Sequence, residues 1–201
     1  MYNENVNTWR LKKIIQEQNL FHDHKNIYSI GIDQGYANLG FAVIRYNVHT
    51  DKYSVVEFGT VVTSSKDEIK DRLNVIYDKM GEVIDRHSID IMSCERLFVN
   101  SGRNANGDRV RNKSSAIVNT NMSTGIIYLL AAQRKISIRD FPPTTVKKQL
   151  TGSGKADKEE IIQVVENLMQ KQGLTVKTNH ESDAIAIGIT GISSYIEKLL
   201  D

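Results

Sequence analysis

The hydrophobic period of this chain changes part-way along it, and that change limits the possible folds more than any other feature. Three strand-like stretches come first, at residues 27–33, 39–46 and 53–62, joined by short connections that suit antiparallel neighbours. Between residues 67 and 87 apolar side chains recur every three or four positions instead, which predicts an amphipathic helix. Helices must therefore pack on a sheet that begins with antiparallel strands.

The rest of the chain alternates between the same two patterns. Two more strands and four more helices are predicted: strands at 89–98 and 136–141, and helices at 116–134, 144–150, 157–171 and 181–200. Residues 99–115 are rich in Gly, Asn and Arg and are predicted to form a loop. This order of elements predicts an α/β fold with a mixed five-stranded sheet and helices on both faces.

The first residues are separate from this pattern. Apolar side chains at helical spacing within residues 7–20 predict a short amphipathic helix. We therefore expect residues 1–26 to form a helical extension and residues 27–201 to form the main domain.

The composition is that of a globular protein without disulfide bonds. Hydrophobic residues make up 40% of the 201 residues, enough to bury a core. Cys94 is the single cysteine, which excludes an internal disulfide and a multi-cysteine zinc site. No apolar run reaches the roughly 18 residues of a membrane span, and the polar first residues lack the apolar middle of a secretory signal. We expect a soluble, intracellular protein that makes no membrane contact.

Carboxylates stand at the ends of predicted elements. Asp33 ends the first strand and Glu95 ends the fourth, while Asp183 lies near the start of the last helix with His180 three residues before it. Residues three apart share a helix face, so His180 and Asp183 can point to one spot, whereas Glu181 points about 100° away. Because strands one and four can be neighbours, the three carboxylates can converge with the histidine.

Three converging carboxylates repel one another unless cations lie between them. Two hard divalent cations remove that repulsion and create a site for phosphodiester hydrolysis. Oxygen-rich ligation suits Mg²⁺, or Mn²⁺ in its place, rather than zinc. The pattern therefore predicts a two-metal hydrolase.

Each of these residues also has an ordinary structural explanation. Asp33 could be a turn-forming residue, Asp183 could complement the dipole of the last helix, and His180 could be a capping or surface residue. Glu95 is harder to explain in this way, since it follows a nearly continuous apolar strand in which an unpaired carboxylate is costly. Its neighbour Cys94 should point to the opposite face of the strand, and we interpret it as a core residue.

Basic residues are concentrated in two stretches, although 26 Lys and Arg against 24 Asp and Glu give the chain a net charge of only +2. Residues 134–158 hold seven basic and two acidic residues, and the 99–115 loop holds four basic and one acidic residue. A basic face beside the carboxylates can neutralise nucleic-acid phosphates. A solvated charged surface is the alternative. The candidate DNA contacts are Arg103, Arg109, Arg111 and Lys113 in the loop, with Lys148 and Lys155 in the other stretch.

Four stretches together resemble the RuvC-type Holliday junction resolvases. They are the opening hairpin SIGIDQGYANLGFAVI at 29–44, CERLF at 94–98, the lysine-bearing VKKQLTGSGKADKEEI at 146–161 and the closing HESDAIAIGIT at 180–190. They occur in the order of the family and span about residues 27–195. The resemblance implies an RNase H-like nuclease that acts as a homodimer in DNA recombination and repair. Such an enzyme cuts paired strands of four-way junctions with two Mg²⁺ ions, in the cytoplasm of a bacterial-type cell or its virus.

The resemblance also implies roles for individual residues. Asp33, Glu95, His180 and Asp183 match the metal-binding and catalytic set, Lys147 and Lys158 match the lysines near the scissile phosphate, and Phe98 matches an aromatic residue that stacks on junction bases. For the implied dimer, the helix at 116–134 is the candidate interface, because Gly125 and Ala131 permit close approach. The chain departs from the family at Gln34, where proline is usual, and in a longer 99–115 loop. Residues 1–26 have no counterpart.

Three other functions stay open at this point. A broader RNase H-like nuclease would cut forks, flaps or three-way DNA with the same residues. An actin/Hsp70-like ATPase shares the Gly-Ile-Asp-x-Gly turn, but its duplicated domain needs a much longer chain. A catalytically silent DNA-binding module would have no need of the full acidic set.

Overall fold

The computed structural model describes residues 26–96, 101–103, 109–111 and 115–200, with side-chain surroundings given for residues 26–96 and 118–199. The strands in these ranges are β1 Asn26–Asp33, β2 Asn38–Asn47, β3 Lys52–Val62, β4 Ile91–Glu95, β5 Ser101–Arg103, β6 Arg109–Arg111 and β7 Ser137–Phe141. The helices are α1 Ile69–Asp85, α2 Ser115–Arg134, α3 Pro143–Thr151, α4 Lys158–Gln170 and α5 Asn179–Leu200. No helix in the described ranges is both long and apolar enough to cross a bilayer.

Five of the strands form one mixed sheet in the order β3-β2-β1-β4-β7. The pairs β1–β2 and β2–β3 are antiparallel, and the pairs β1–β4 and β4–β7 are parallel. The predicted five-stranded mixed sheet is therefore confirmed, and so is the neighbourhood of the first and fourth strands. Because β1 and β4 are parallel, their carboxyl ends meet at the same edge of the sheet.

Both faces of the sheet are covered, as predicted. Alternate residues of β2 point to opposite sides of the sheet, so this strand contributes side chains to the hydrophobic core on each face. Ala42, Ile44 and Tyr46 pack with α3, α4 and α5, whereas Leu39, Phe41 and Val43 pack with α1 and α2. Each such aliphatic or aromatic side chain contributes roughly 1.5–3 kcal/mol by leaving water.

Helix α5 lies unusually close to β1 because both carry glycine at the crossing. A Cβ atom on Gly31 would collide with the backbone of Ala184 and Gly188. One on Gly40 would collide with the carbonyl group of His180. Gly31 and Gly40 thus let the first turns of α5 rest directly on β1 and β2, beside the end of β1 that carries Asp33.

The 99–115 loop was predicted without strands, but it contains the two-stranded ribbon β5–β6, in which Gly102 pairs with Val110. Its three-residue strands are too short, and too rich in arginine, to show alternating hydrophobicity. The predicted helix at 7–20 lies outside the described residues, so the division of the chain near residue 26 stays a prediction.

Candidate active site

The four residues singled out at element ends come together at one edge of the sheet. The β1–β4 register places Ile32 opposite Cys94, so the following residues, Asp33 and Glu95, end neighbouring strands. His180 and Asp183 lie in the first turns of α5, above these strand ends. The Nδ1 atom of His180 lies 2.6 Å from Oδ2 of Asp33. The fold therefore brings the four residues to neighbouring positions, and their roles stay a prediction.

Negative charge in this cluster is only partly compensated. Burial raises the pKa of Asp33 and outweighs the hydrogen bond to His180, which lowers it; the charge of Asp183 raises it further. Burial also raises the pKa of Glu95, and the charges of Asp33 and Asp183 add to that effect. A cation placed among these carboxylates would stabilise their ionised forms.

Two lysines face the same space. The Nζ atom of Lys158 lies 3.4 Å from Oδ2 of Asp183, and Lys147 is close enough to lower the pKa of Glu95 slightly against the larger raising effects. The residues Glu95, Asp183, Lys147 and Lys158 border a cavity of about 250 Å³. Its remaining lining is apolar: Pro143, Val146, Ile161, Ala186 and Ile187. Charged groups of both signs therefore border an apolar depression.

Lys158 is placed by the way α4 begins. Asp157 caps this helix by accepting from the N–H of Glu160, while Glu160 accepts from the N–H of Asp157, each at 2.9 Å. This reciprocal capping box fixes the first helical residue, which is Lys158.

Glu181 takes no part in the cluster, as the helical geometry predicted. It is buried, and its carboxylate accepts from the backbone N–H groups of Lys177 and Thr178 at 2.7 and 3.3 Å. Glu181 therefore holds the segment that precedes α5, and the metal-binding candidates lie on an adjacent face of the helix.

The chemistry of these donor groups fits a hard divalent cation, although the side chains are not arranged as a complete coordination shell. No three His, Cys, Asp or Glu side chains within the described ranges are already spaced to hold one ion. Instead, His180 bonds to Asp33 and Lys158 contacts Asp183. Three carboxylates, two of them with raised pKa, are nevertheless the ligands that Mg²⁺ and Mn²⁺ prefer. Cation binding would thus exchange side-chain partners around a backbone already in place.

Gln34 belongs to the site but was not predicted to. It was noted only as a departure from the family, yet its side chain is 3% exposed and bonds to the backbone of Glu95. Its position directly after a strand-end aspartate was the available signal, but the partner of a side-chain amide depends on which strand lies alongside.

The predicted DNA contacts are only partly visible. Lys148 and Lys155 are exposed, and Arg103, Arg109 and Arg111 lie on the ribbon strands. Phe98 and Lys113 lie outside the described residues.

Two arginines counted in the basic 134–158 stretch are committed elsewhere. Arg134 forms a bidentate pair with Asp85 at 2.6 and 2.7 Å, and Arg139 donates to the hydroxyl of Ser194 at 2.5 Å. The Asp85 carboxylate therefore compensates the charge of Arg134, whereas Arg139 keeps its positive charge because a hydroxyl does not neutralise it, and the basic face stays a prediction.

Cys94 is a core residue, as interpreted from its strand position. It is 1% exposed, and burial raises its pKa to about 12. A thiol of this kind is not ionised near neutral pH and cannot serve as a nucleophile.

Comparison with known proteins decides the family. The profile of the family Crossover junction endodeoxyribonuclease RuvC matches residues 29–191. The chain belongs to this family. The RuvC protein of Fusobacterium nucleatum subsp. nucleatum is 32% identical over 170 residues, covering 85% of this chain and 82% of that protein. The RuvC protein of Pseudothermotoga lettingae is 33% identical over 157 residues, covering 78% and 88%.

Solved RuvC structures share the fold. Thermus thermophilus RuvC superposes with a TM-score of 0.70 at 23% identity, covering 86% of this chain and 97% of that one. Its complex with a Holliday junction substrate gives 0.68 at 21% identity, covering 84% and 95%. The predicted family, the RNase H-like fold and the class of enzyme, a metal-dependent crossover junction endodeoxyribonuclease, are thus confirmed. Membership of the RuvC family argues against the two other classes that were considered from sequence, the ATPase and the silent DNA-binding module.

Proposed function

We propose that this RuvC-family chain resolves four-way DNA junctions by metal-dependent hydrolysis, with Asp33, Glu95, Asp183 and His180 as its cation ligands. The observation that supports this most is the meeting of three carboxylates at the ends of β1, β4 and the start of α5, with the pKa of Asp33 and Glu95 raised by burial and mutual charge. A related chain, Thermus thermophilus RuvC, was solved with a Holliday junction substrate. The same substrate class is proposed here.

Two Mg²⁺ ions, or Mn²⁺ in their place, would supply an activated water and stabilise the leaving 3′ oxygen. Asp33 lies between the other two carboxylate-bearing elements and is the residue best placed to serve both ions. Glu95 and Asp183 would each favour one ion. His180 holds the Asp33 carboxylate in place through its 2.6 Å contact and can bind as neutral imidazole.

The lysines on the cavity rim would act on the phosphate itself. Lys147 and Lys158 border the same cavity as Glu95 and Asp183, so a phosphate held by the cations would lie near both ammonium groups. Their positive charge would offset the charge that develops on the phosphate during hydrolysis. Phe98, three residues beyond Glu95, is proposed to stack on junction bases.

A cleavage assay on matched substrates tests the function. Four-way, three-way, forked and linear DNA of the same arm sequences would be incubated with Mg²⁺, with Mn²⁺ and with chelator. Symmetric nicks in opposite strands of the four-way substrate, dependent on the cation, are expected. Equal cutting of all branched substrates would favour the broader branched-DNA nuclease instead, and cutting in chelator would exclude the cation mechanism.

Exposed lysines near the site should contribute to DNA affinity through phosphate neutralisation. For the double variant Lys148→Gln, Lys155→Gln we expect weaker junction binding and a shallower salt dependence, by about 0.9 for each phosphate that is no longer neutralised. Binding titrations between low and moderate salt measure this slope. Lys52→Gln, Lys198→Gln is the matched control, because Lys52 follows the hairpin turn at the opposite edge of the sheet and Lys198 lies in the last turn of α5. An equal loss of slope in the control pair would contradict the assignment.

A homodimer is proposed, with α2 as its interface. Gly125 and Ala131 were expected at this interface, but Ala131 is 1% exposed and packs in the core, so it was wrongly included. The helix instead presents an outward stripe at positions 118, 125 and 129: Val118 is 47% exposed, Leu129 is 46% exposed, and nothing lies within 4 Å of a Cβ on Gly125. Such a stripe suits close helix packing.

Leu129→Glu should convert this dimer to monomer. A buried, unpaired carboxylate at the centre of an apolar interface costs several kcal/mol, so we expect dissociation to shift by at least about 100-fold in concentration. Sedimentation velocity over a concentration series measures it. Val75→Glu, which changes a 38% exposed residue of α1, is the control and should leave the association unchanged. A wild-type chain that is monomeric at micromolar concentration would refute the dimer.

A further inference from the structure

Gln34 directly follows Asp33 at the carboxyl end of β1, and its side chain is almost completely buried. A buried amide must find hydrogen-bond partners, because leaving its groups unpaired is costly. Its side-chain nitrogen donates to the carbonyl oxygen of Glu95 at 2.8 Å, and its side-chain oxygen accepts from the N–H of Glu95 at 3.1 Å. Both bonds therefore go to the backbone of one candidate ligand residue.

These bonds continue the pairing of β1 with β4 beyond the end of the ladder. The backbone register ends at Ile32 opposite Cys94, and the chain turns at Asp33, whose carbonyl accepts from the N–H of Gly35 at 2.9 Å. A primary amide offers the same donor and acceptor as a peptide group, so the side chain of Gln34 takes the place of the missing strand. On its other side, Glu95 pairs with Phe141 of β7. The backbone of Glu95 is thus held from both neighbouring strands.

Glu95 stands where such support matters. Its carboxylate is repelled by those of Asp33 and Asp183. Glu95 is also the last residue of the five-residue strand β4. Strand ends are held by few bonds and open most easily. The backbone carbonyl oxygen of Gln34 also accepts from the hydroxyl of Ser123 at 3.3 Å, which ties the same turn to α2. One residue therefore connects the Asp33 turn, the Glu95 backbone and a helix of the opposite layer.

We propose, on the basis of the function proposed above, that Gln34 is a positioning residue that holds Glu95 beside Asp33 so that both can bind the same cations. Two hydrogen bonds tie its amide to the Glu95 backbone, so it acts through Glu95. Residues that orient metal ligands in this way typically change metal affinity or activity by about 10–100-fold when they are replaced.

Gln34→Met is the decisive variant, because methionine keeps the length and volume of the side chain but removes both hydrogen bonds. Gln172→Met is its matched control. The Gln172 side chain also makes two backbone hydrogen bonds, accepting from the N–H of Val55 at 2.9 Å and donating to the carbonyl of Leu168 at 3.2 Å. It follows α4 at the end opposite Lys158, far along that helix from the site.

Binding of Mn²⁺ to the DNA-free proteins would be measured by titration calorimetry, with thermal midpoints recorded for the same samples. Gln34→Met should weaken Mn²⁺ binding about 10–100-fold and raise the Mn²⁺ concentration for half-maximal junction cleavage by the same factor. Gln172→Met should change Mn²⁺ affinity less than about 2-fold. Its thermal midpoint should fall by about as many degrees as that of Gln34→Met, because each variant loses two hydrogen bonds. Equal Mn²⁺ affinities in the two variants overturn the role of Gln34.

Two further variants keep the result decisive. Should Gln34→Met fail to fold, Gln34→Asn is read in its place, because its amide is one methylene too short to reach both Glu95 groups and should weaken Mn²⁺ binding in the same direction. Wild-type affinity in Gln34→Asn overturns the role equally. Asp33→Asn separates the two hypotheses: unchanged Mn²⁺ binding there overturns the cation site itself, whereas a loss there with none in the Gln34 variant overturns only the role of Gln34.

Discussion

Asp33→Asn should reduce junction cleavage by at least about 1,000-fold, equivalent to roughly 4 kcal/mol of activation free energy, while junction affinity changes less than about 3-fold. Asparagine keeps the shape of the side chain but removes the negative charge that cations need at the centre of the cluster. DNA affinity depends instead on lysine and arginine contacts with phosphates. Single-turnover cleavage in Mg²⁺ and equilibrium binding without metal measure the two quantities separately.

The same substitution should make the metal-free protein more stable. Because the pKa of Asp33 is raised in the fold, its ionised form disfavours folding, and this cost grows as the pH rises through the carboxylate range. A neutral side chain removes that cost, so the thermal midpoint of Asp33→Asn should exceed that of wild type at pH 7 and converge with it in acid. A stabilised but inactive variant is the usual result when a repulsive catalytic group is neutralised.

Asp85→Asn is the control for these measurements. Asp85 is a carboxylate in a bidentate pair with Arg134, on the helix layer away from the cluster, and 61% of its side chain is exposed. The pair lowers the pKa of Asp85, so its loss should not stabilise the protein, and cleavage should stay at the wild-type rate. Retained cleavage in Asp33→Asn, or an equal loss in Asp85→Asn, would remove the basis for the site.

The placement of the carboxylates was accessible from sequence because it depends on strong local signals. An apolar strand that ends in Asp33 or Glu95 marks its own boundary, and the spacing of His180 and Asp183 fixes their common face on α5. Parallel pairing of β1 with β4 then brings these ends together. The sheet and its two helical layers followed from the same periodic patterns.

What sequence could not supply is the choice of partner for polar side chains. Nothing local indicates that Gln34 bonds to Glu95, or that Arg134 and Arg139 are used by Asp85 and Ser194. Those pairings depend on residues 49 to 61 positions away in the chain. The close contact of α5 with β1 also rests on a coincidence in space, since Gly31 and Gly188 are far apart in sequence.

Gly31→Ala should therefore destabilise the protein strongly, although the change adds only one methyl group. The added methyl group would collide with backbone atoms of Ala184 and Gly188, which cannot rotate away as a side chain could. Overpacking of this kind costs up to about 3 kcal/mol, and the helix has to move off the sheet to relieve it. Chemical denaturation at fixed protein concentration measures the loss of unfolding free energy.

Gly125→Ala is the matched control, because a Cβ at that position has nothing within 4 Å and alanine favours the helix. It should gain about 0.5–1 kcal/mol, measured at a dilution where both variants sediment as monomers, because Gly125 also lies in the proposed dimer interface. Since α5 carries His180 and Asp183, its displacement in Gly31→Ala also pulls both residues away from Asp33. Cleavage by folded Gly31→Ala, well below its thermal midpoint, should thus fall by about 100-fold, the effect of roughly 1 Å of misplacement. A variant that loses stability but cleaves at the wild-type rate would show that the first turn of α5 need not stay beside β1 for catalysis.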